Sequence, residues 1–369
     1  MSGIYVHIPF CKSKCTYCDF ASFPNEIGKM ESYFACLYRE IKGRGQALAG
    51  KVFDTIYIGG GTPSICPESY VVGVIKQIRN FFTLTENPEI TIELNPGTVT
   101  EDKIKAYKKA GINRFSIGLQ TGFDDQLQRL NRIHTAKDFL LTCKMLKGEN
   151  ISADILLGLH DQTFDQVQKS IELAIAGGVS HISTYALTPE VGTPIYTDYL
   201  NGELLSEDEV ADIYEKTVEY LNKKGFNRYE VSNFARGGYE SKHNQNYWER
   251  GEYIGVGAAA SSFIDGRRFT NTSKLDEYMN AIIYNKVPEI FSEMIEGKDA
   301  EEEKIMLALR TAKGLCISEF NKLFDCDFEK KYAQAIKKKQ AFITLENDYL
   351  KIKPEYLFVQ NDIIVEFMK

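Results

Sequence analysis

No stretch of the chain approaches the ~20 consecutive apolar residues that a membrane-spanning helix requires. The opening residues, Met1-Ser2-Gly3-Ile4-Tyr5, lack the basic segment and following apolar run of an export signal, so a cytoplasmic protein is expected. Basic residues are in deficit: 44 Lys and Arg face 51 Asp and Glu, a formal charge of −7. A surface built to displace counterions from nucleic acid is therefore not expected. Cysteine is also scarce, and 8 in 369 residues cannot make a disulfide scaffold. What is not lacking is apolar content, at 43% hydrophobic residues, which excludes a disordered chain. The length suggests one large domain with a smaller one.

Three of the few cysteines fall together, in Cys11-x-x-x-Cys15-x-x-Cys18. The other five, Cys36, Cys66, Cys143, Cys316 and Cys326, are scattered and read as small buried hydrophobes. One short loop can wrap three thiolates round a metal centre, and thiolates are the soft ligands of iron-sulfur clusters. Three ligands leave one iron of a four-iron cluster open to a small chelating molecule. A structural zinc site, with His7 as fourth ligand, is the alternative that the spacing leaves open.

Between residues 4 and 235, β-rich runs alternate with helix-period stretches. The runs are Ile4–Ile8, Thr55–Ile58, Ile90–Leu94, Phe115–Leu119, Ile155–Leu157 and His181–Tyr185, with helices expected over Pro67–Phe82, Glu101–Ala110, Phe164–Ala176 and Ser206–Lys224. This pattern predicts an α/β fold with a parallel sheet and helices outside it, a partial (β/α)6 barrel of TIM type. Polar and Gly-rich residues follow the strands: the cysteine loop, Gly59-Gly60-Gly61-Thr62-Pro63, Asn95-Pro96-Gly97 and Gln120-Thr121-Gly122. In parallel α/β folds these strand ends converge on one pocket. Three units are expected: a core over 1–235, a connecting segment over 236–296 and a small winged-helix-like domain over 297–369. The last shows helices over Glu301–Arg310, Ile317–Leu323 and Lys330–Gln340, a hairpin around Glu346-Asn347-Asp348, and a closing helix from about Pro354. Lys337-Lys338-Lys339 reads as a solvated helix face, and the domain as one that packs or gates.

The cysteine motif, the Gly59–Pro63 segment and Glu93-x-Asn95-Pro96, in this order after successive strands, resemble the radical S-adenosylmethionine (SAM) superfamily. Arg114-x-Ser116-x-Gly118-x-Gln120, Leu130-x-Arg132-x-His134, Asp154-x-x-x-Gly158-Leu159 and Tyr229-Glu230-x-Ser232-Asn233 resemble one branch of it. That branch holds the oxygen-independent coproporphyrinogen III dehydrogenases and the HemW-type haem chaperones. The resemblance extends over nearly the whole chain. It implies a 4Fe-4S cluster on Cys11, Cys15 and Cys18, with SAM on the open iron and cleavable to methionine and a 5′-deoxyadenosyl radical. It implies SAM contacts from Tyr5 near the cluster, from the backbone of Gly60, Gly61 and Thr62, and from Glu93, Gln120, Arg132 and Asp154, with Tyr17 beside the adenine. Lys242-His243-Asn244-Gln245-Asn246-Tyr247-Trp248 resembles the chaperones' His-Asn-x-x-Tyr-Trp motif, which implies a haem role for His243; structural hydrogen bonding is its other reading.

Two functions follow from the resemblance. One is a haem chaperone that delivers haem to acceptor proteins, with membrane-bound respiratory enzymes as candidates and monomer or dimer left open. The other is radical decarboxylation of coproporphyrinogen III to protoporphyrinogen IX. The dehydrogenases carry a fourth Cys two residues after the third and an N-terminal extension; here Phe20 takes that place and ten residues precede Cys11, which favours the chaperone. His160 stands where the branch has Pro, and Gln120-Thr121-Gly122 replaces a Gln-Ser-Phe run, so local loop shape is expected to differ there.

Overall fold

The computed structural model describes residues 1–368. Strands β1 (Ser2–Ile8), β2 (Val52–Gly60), β3 (Thr83–Leu94), β4 (Arg114–Gln120), β5 (Asn150–Leu157) and β6 (His181–Ala186) lie side by side, all parallel. Beyond β6 the short β8 (Asn233–Ala235) and β7 (Asn227–Arg228) add antiparallel. On the other side β9 (Glu252–Val256) runs parallel to β1, and β10 (Ser261–Ile264), β11 (Arg267–Asn271) and β12 (Glu289–Met294) extend the sheet antiparallel. Among the described residues the twelve strands of this sheet end in two unpaired edges, β12 and β7, so the barrel is open.

Period-two alternation divides each central strand between two environments. Ile4, Val6 and Ile8, then Ile56 and Ile58, Ile90 and Ile92, Phe115 and Ile117, face the helices and are fully buried. Each such side chain contributes roughly 1.5–3 kcal/mol of burial. The intervening positions carry polar or aromatic groups onto the inner face: Tyr5 and His7, Tyr57, Glu93, Arg114 and Ser116, Asp154, His181 and Ser183. The helices follow local signals. Thr100 caps Glu101–Ala110, which ends at Gly111 with φ 102°. Thr163 with Gln166, and Ser206 with Glu209, form capping boxes for Phe164–Ala176 and Glu207–Lys223.

Residues 236–296, read from the sequence as a connecting segment, supply β9 to β12 and the helices Lys242–Trp248 and Leu275–Ile283. The C-terminal unit has its own core, in which Ile305, Phe320, Phe328, Leu350 and Phe367 meet. Its sheet orders β13 (Leu315–Cys316), β15 (Tyr349–Ile352) and β14 (Ile343–Glu346), and the hairpin turns at Asn347 and Asp348, φ 53° and 69°. The helix expected over Lys330–Gln340 is two pieces, Phe328–Lys331 and Ala333–Lys339. At the break Tyr332 leaves helical geometry, packs on Phe328 and donates to Glu301. The closing helix expected from Pro354 is a 3-10 turn followed by Asn361–Ile364. Cys36, Cys66 and Cys143 are buried as expected, whereas Cys316 and Cys326 are half-exposed. Backbone bonds from Val231 to Arg310 and from Ala312 to Tyr229 join this unit to the core. Among the described residues no helix is long and apolar enough to cross a membrane.

Candidate functional site

The inner ends of β2 to β6 and the loop after β1 surround a cavity of about 390 Å³. Cys11, Cys15, Cys18, Tyr17, Gly60, Gly61, Thr62, Glu93, Gln120, Arg132 and Asp154 all line it, so eleven positions spread over 144 residues of sequence meet in one place.

The loop that holds the cysteines is tied to the glycine run by backbone bonds. Gly61 N–H donates to Ile8 O at 2.8 Å and Thr62 N–H to Phe10 O at 2.7 Å. Gly60 N–H donates to Glu93 at 3.1 Å. All three amides are therefore occupied, and the run contributes chiefly close approach. A β-carbon at Gly60, where φ is 113°, would meet the His7 ring at 2.6 Å, and one at Gly61 would meet Phe10 O at 2.7 Å.

The three thiols are free, and burial pushes those of Cys11 and Cys18 up, with the hydroxyls of Thr62 and Ser22 opposing it. Among the described residues only His160, Asp198 and Glu203 bring three ligand atoms within 4.8 Å of one another. At least one pair of the three cysteine sulfurs therefore lies more than 4.8 Å apart, beyond the about 3.8 Å that tetrahedral zinc with 2.3 Å bonds would impose. His7 has no nitrogen to spare either, since Nε2 lies 2.8 Å from Ala21 O and Nδ1 2.9 Å from Tyr5 Oη. Thiols that are not all drawn together to zinc spacing and that line a cavity of this size fit the larger four-iron cube.

Around the thiols the charged groups are held firmly. Arg132 donates to Cys15 Sγ at 3.4 Å, to Asn95 Oδ1 at 3.2 Å and to Gly118 O at 2.8 Å, while its buried Nε has no partner among the described residues. Glu93 accepts from Tyr57 Oη at 2.8 Å as well as from Gly60. Desolvation pushes its pKa up to about 7, the nearby charge of Asp154 adding to the effect. Asp154 lies between Gly118 and Ser183 in the sheet, accepts from Ser116 at 3.5 Å, and is likewise raised by burial. Gln120 reaches the cavity through a positive φ of 69° at a register shift in β4. Tyr17 lines the cavity and also packs on the Leu130, Leu156, Leu159 and Ile195 cluster.

Two expected residues stand elsewhere. Tyr5 faces a second cavity. His243, 1% exposed, lines neither cavity: Nδ1 pairs with Thr55 Oγ1 at 2.7 Å, Nε2 with Tyr247 Oη at 2.9 Å, and the ring stacks on Tyr57. Sequence reasoning missed Arg114, Ser183 and Tyr185, which line the first cavity. Polar residues at every second place in Arg114-x-Ser116-x-Gly118 were the available sign of a polar inner face. At the departures from the branch, Gly122 donates to Ser170 Oγ against the backbone of helix Phe164–Ala176, and His160 pairs with Asp198 at 3.0 Å.

The sequence pattern of the Radical SAM superfamily matches residues 5–174, and that of the HemN C-terminal domain residues 295–359. The Heme chaperone HemW of Lactococcus lactis is 35% identical over 340 residues, 91% of this chain and 88% of that protein. The chain belongs to the HemW family. The HemW of Bacillus subtilis is 32% identical over 326 residues, covering 87% of this chain and 86% of its own, and that of Escherichia coli 35% over 284, or 73% of each. The HemW-family fold also matches the solved coproporphyrinogen III oxidase (HemN) from Escherichia coli, a radical SAM enzyme, with TM-score 0.88 over 100% of this chain and 90% of that one at 19% identity. Membership of the radical SAM superfamily implies a 4Fe-4S cluster and SAM for a HemW-family protein.

Proposed function

We propose that the protein is a haem chaperone that carries a 4Fe-4S cluster on Cys11, Cys15 and Cys18, binds SAM in the first cavity, and transfers haem to acceptor haem proteins, membrane-bound respiratory enzymes among them. The observation that carries the reading is the set of three free thiols lining one cavity with Glu93, Arg132 and Asp154, in a chain whose relatives at 29–36% identity are named heme chaperones. Bound there, the cluster and SAM would supply one-electron chemistry at the sulfonium.

The chain's own residues do the holding. Arg132 steadies the Cys15 sulfur and sets a fixed positive charge where thiolate charge accumulates. Glu93 and Asp154 offer acceptor oxygens to amino and hydroxyl groups, and Gly60 and Gly61 let main chain approach a ligand closely. Phe20, in place of a fourth cysteine, leaves no extra thiol to serve a porphyrinogen substrate.

Anaerobic reconstitution of the wild type and of a Cys11→Ala, Cys15→Ala, Cys18→Ala variant tests the cluster: iron and sulfide should bind to the wild type alone. Reduced protein with SAM is then given haem or coproporphyrinogen III. Stoichiometric haem binding and passage to a haem-depleted acceptor protein are expected. Formation of protoporphyrinogen IX would replace this reading by the dehydrogenase one.

A further inference from the structure

A second cavity, of about 470 Å³, opens on the far side of β1 from the first, between β9, β10 and the helix Gly297–Ala308 of the C-terminal unit. Its walls are aromatic: Tyr5, Phe20, Tyr247, Tyr253 and Phe263. Tyr247 and Tyr253 meet edge to face at 4.7 Å, and Tyr253 lies opposite Phe263 across the β9–β10 ladder. The size and lining are those of a small-molecule site for a flat apolar ligand.

The charge in this cavity is unbalanced. Arg250 and Arg268 both reach it, and both grip the one carboxylate there, Glu303, at 2.7 Å and 2.6 Å. Both guanidiniums also sit against the Phe263 ring, at 4.6 Å and 5.2 Å from its centre. His7, the remaining titratable lining group besides the tyrosines, is kept neutral by burial. Two fixed positive charges against one negative leave the site complementary to a ligand carboxylate. Phe20 stands at the mouth, 64% exposed, and lines both cavities, so an occupant of the second lies next to the contents of the first.

We propose that this second cavity is the seat of the haem: the macrocycle packs against Phe20, Tyr253 and Phe263 while a propionate engages Arg268 and Arg250. The proposal rests on the haem-chaperone reading above and gives the cargo a place apart from the SAM cavity. It also gives the C-terminal unit a task, because Glu303 and Leu307 of its first helix form one wall.

The test titrates the full-length protein with haem and with haem dimethyl ester, which keeps ring and iron but lacks free carboxylates. Quenching of Trp248, the only tryptophan, reports binding. Arg268→Gln should weaken haem at least tenfold and leave the ester within twofold of wild type. Phe20→Ala, which removes an exposed ring, should weaken both ligands several-fold. Haem affinities equal in wild type and both variants would overturn this site while leaving the chaperone reading intact. Equal losses of haem and ester in Arg268→Gln would assign that arginine to structure and also overturn it. A wild type that binds no haem would bring down the chaperone reading and this site together.

Discussion

Arg132 Nη1 donates to Cys15 Sγ at 3.4 Å, while Nη2 of the same guanidinium donates to Gly118 O at 2.8 Å and to Asn95 Oδ1 at 3.2 Å. One planar fork thus ties the cysteine loop to the ends of β3 and β4. Lysine cannot reproduce it, being a point charge on a flexible stem. Arg132→Lys should therefore keep the charge and still lower SAM affinity at least tenfold, with about 1–3 kcal/mol of stability lost through acceptors left unpaired. Equilibrium dialysis with SAM and chemical denaturation read the two effects. An Arg132→Lys protein equal to wild type in both would show the fork to be dispensable.

Gly60 combines a φ of 113° with a virtual β-carbon 2.6 Å from the His7 ring. Alanine there would be strained by about 1–3 kcal/mol and would push a ring that is held at both nitrogens. Thermal melting of Gly60→Ala should fall by several degrees, and SAM binding should weaken with it because Glu93 accepts from the Gly60 amide. An alanine protein that melts with the wild type would refute the steric account.

Glu230 lies fully buried where the core meets the C-terminal unit, with Oε2 accepting from Ser232 N–H at 3.0 Å and Oε1 without a hydrogen-bond partner among the described residues. Desolvation pushes its pKa up to about 7. Between the ordinary carboxyl value and pH 7 the native state thus keeps a proton that the unfolded chain has released. This group's contribution to stability consequently falls as pH rises through that window. Glu230→Gln, which imitates the protonated form, should melt a few degrees above the wild type at pH 8 and close to it at pH 5. A gap that does not grow with pH would mean the carboxyl is not the group responsible.

The fold and the first cavity were largely legible because both are written in period and spacing. Ile4, Val6 and Ile8 alternate with Tyr5 and His7, and the same beat continues through β6, so six strands were readable from residue order alone. Strands β10 to β12 were not. Ser261–Ile264 spans four residues, and Glu289–Met294 is almost wholly exposed with no buried face to impose a pattern. The thiols and glycines were legible as motifs, whereas Arg114, although part of a motif, carries no local sign that it is buried between β3 and β5 on the cavity wall. The second cavity was hidden for a related reason, since Arg250, Arg268 and Glu303 are brought together by sheet pairing and domain contact, neither of which leaves a local trace.

His243 is built into the framework beside the second cavity. Its two nitrogens pair with Thr55 and Tyr247, and a β-carbon at Gly3 would lie 2.9 Å from its ring, so β1 leaves room for it by having no side chain there. Burial lowers its pKa to about 3, which keeps the ring neutral and free to bridge two hydroxyls. The Tyr247 ring, which it holds, lines the second cavity. Replacing Thr55 by Val removes one partner and keeps the ring, and should cost about 1–2 kcal/mol. His243→Ala should cost more, roughly 2–4 kcal/mol, by emptying a packed site as well. If His243 is a support, the bound ferric haem of His243→Ala should keep the wild-type Soret position while its affinity falls only as far as loosening of Tyr247 allows. A shifted Soret band with an unchanged melting temperature would instead make the imidazole an iron ligand, and would require the ring to leave both hydroxyls on binding.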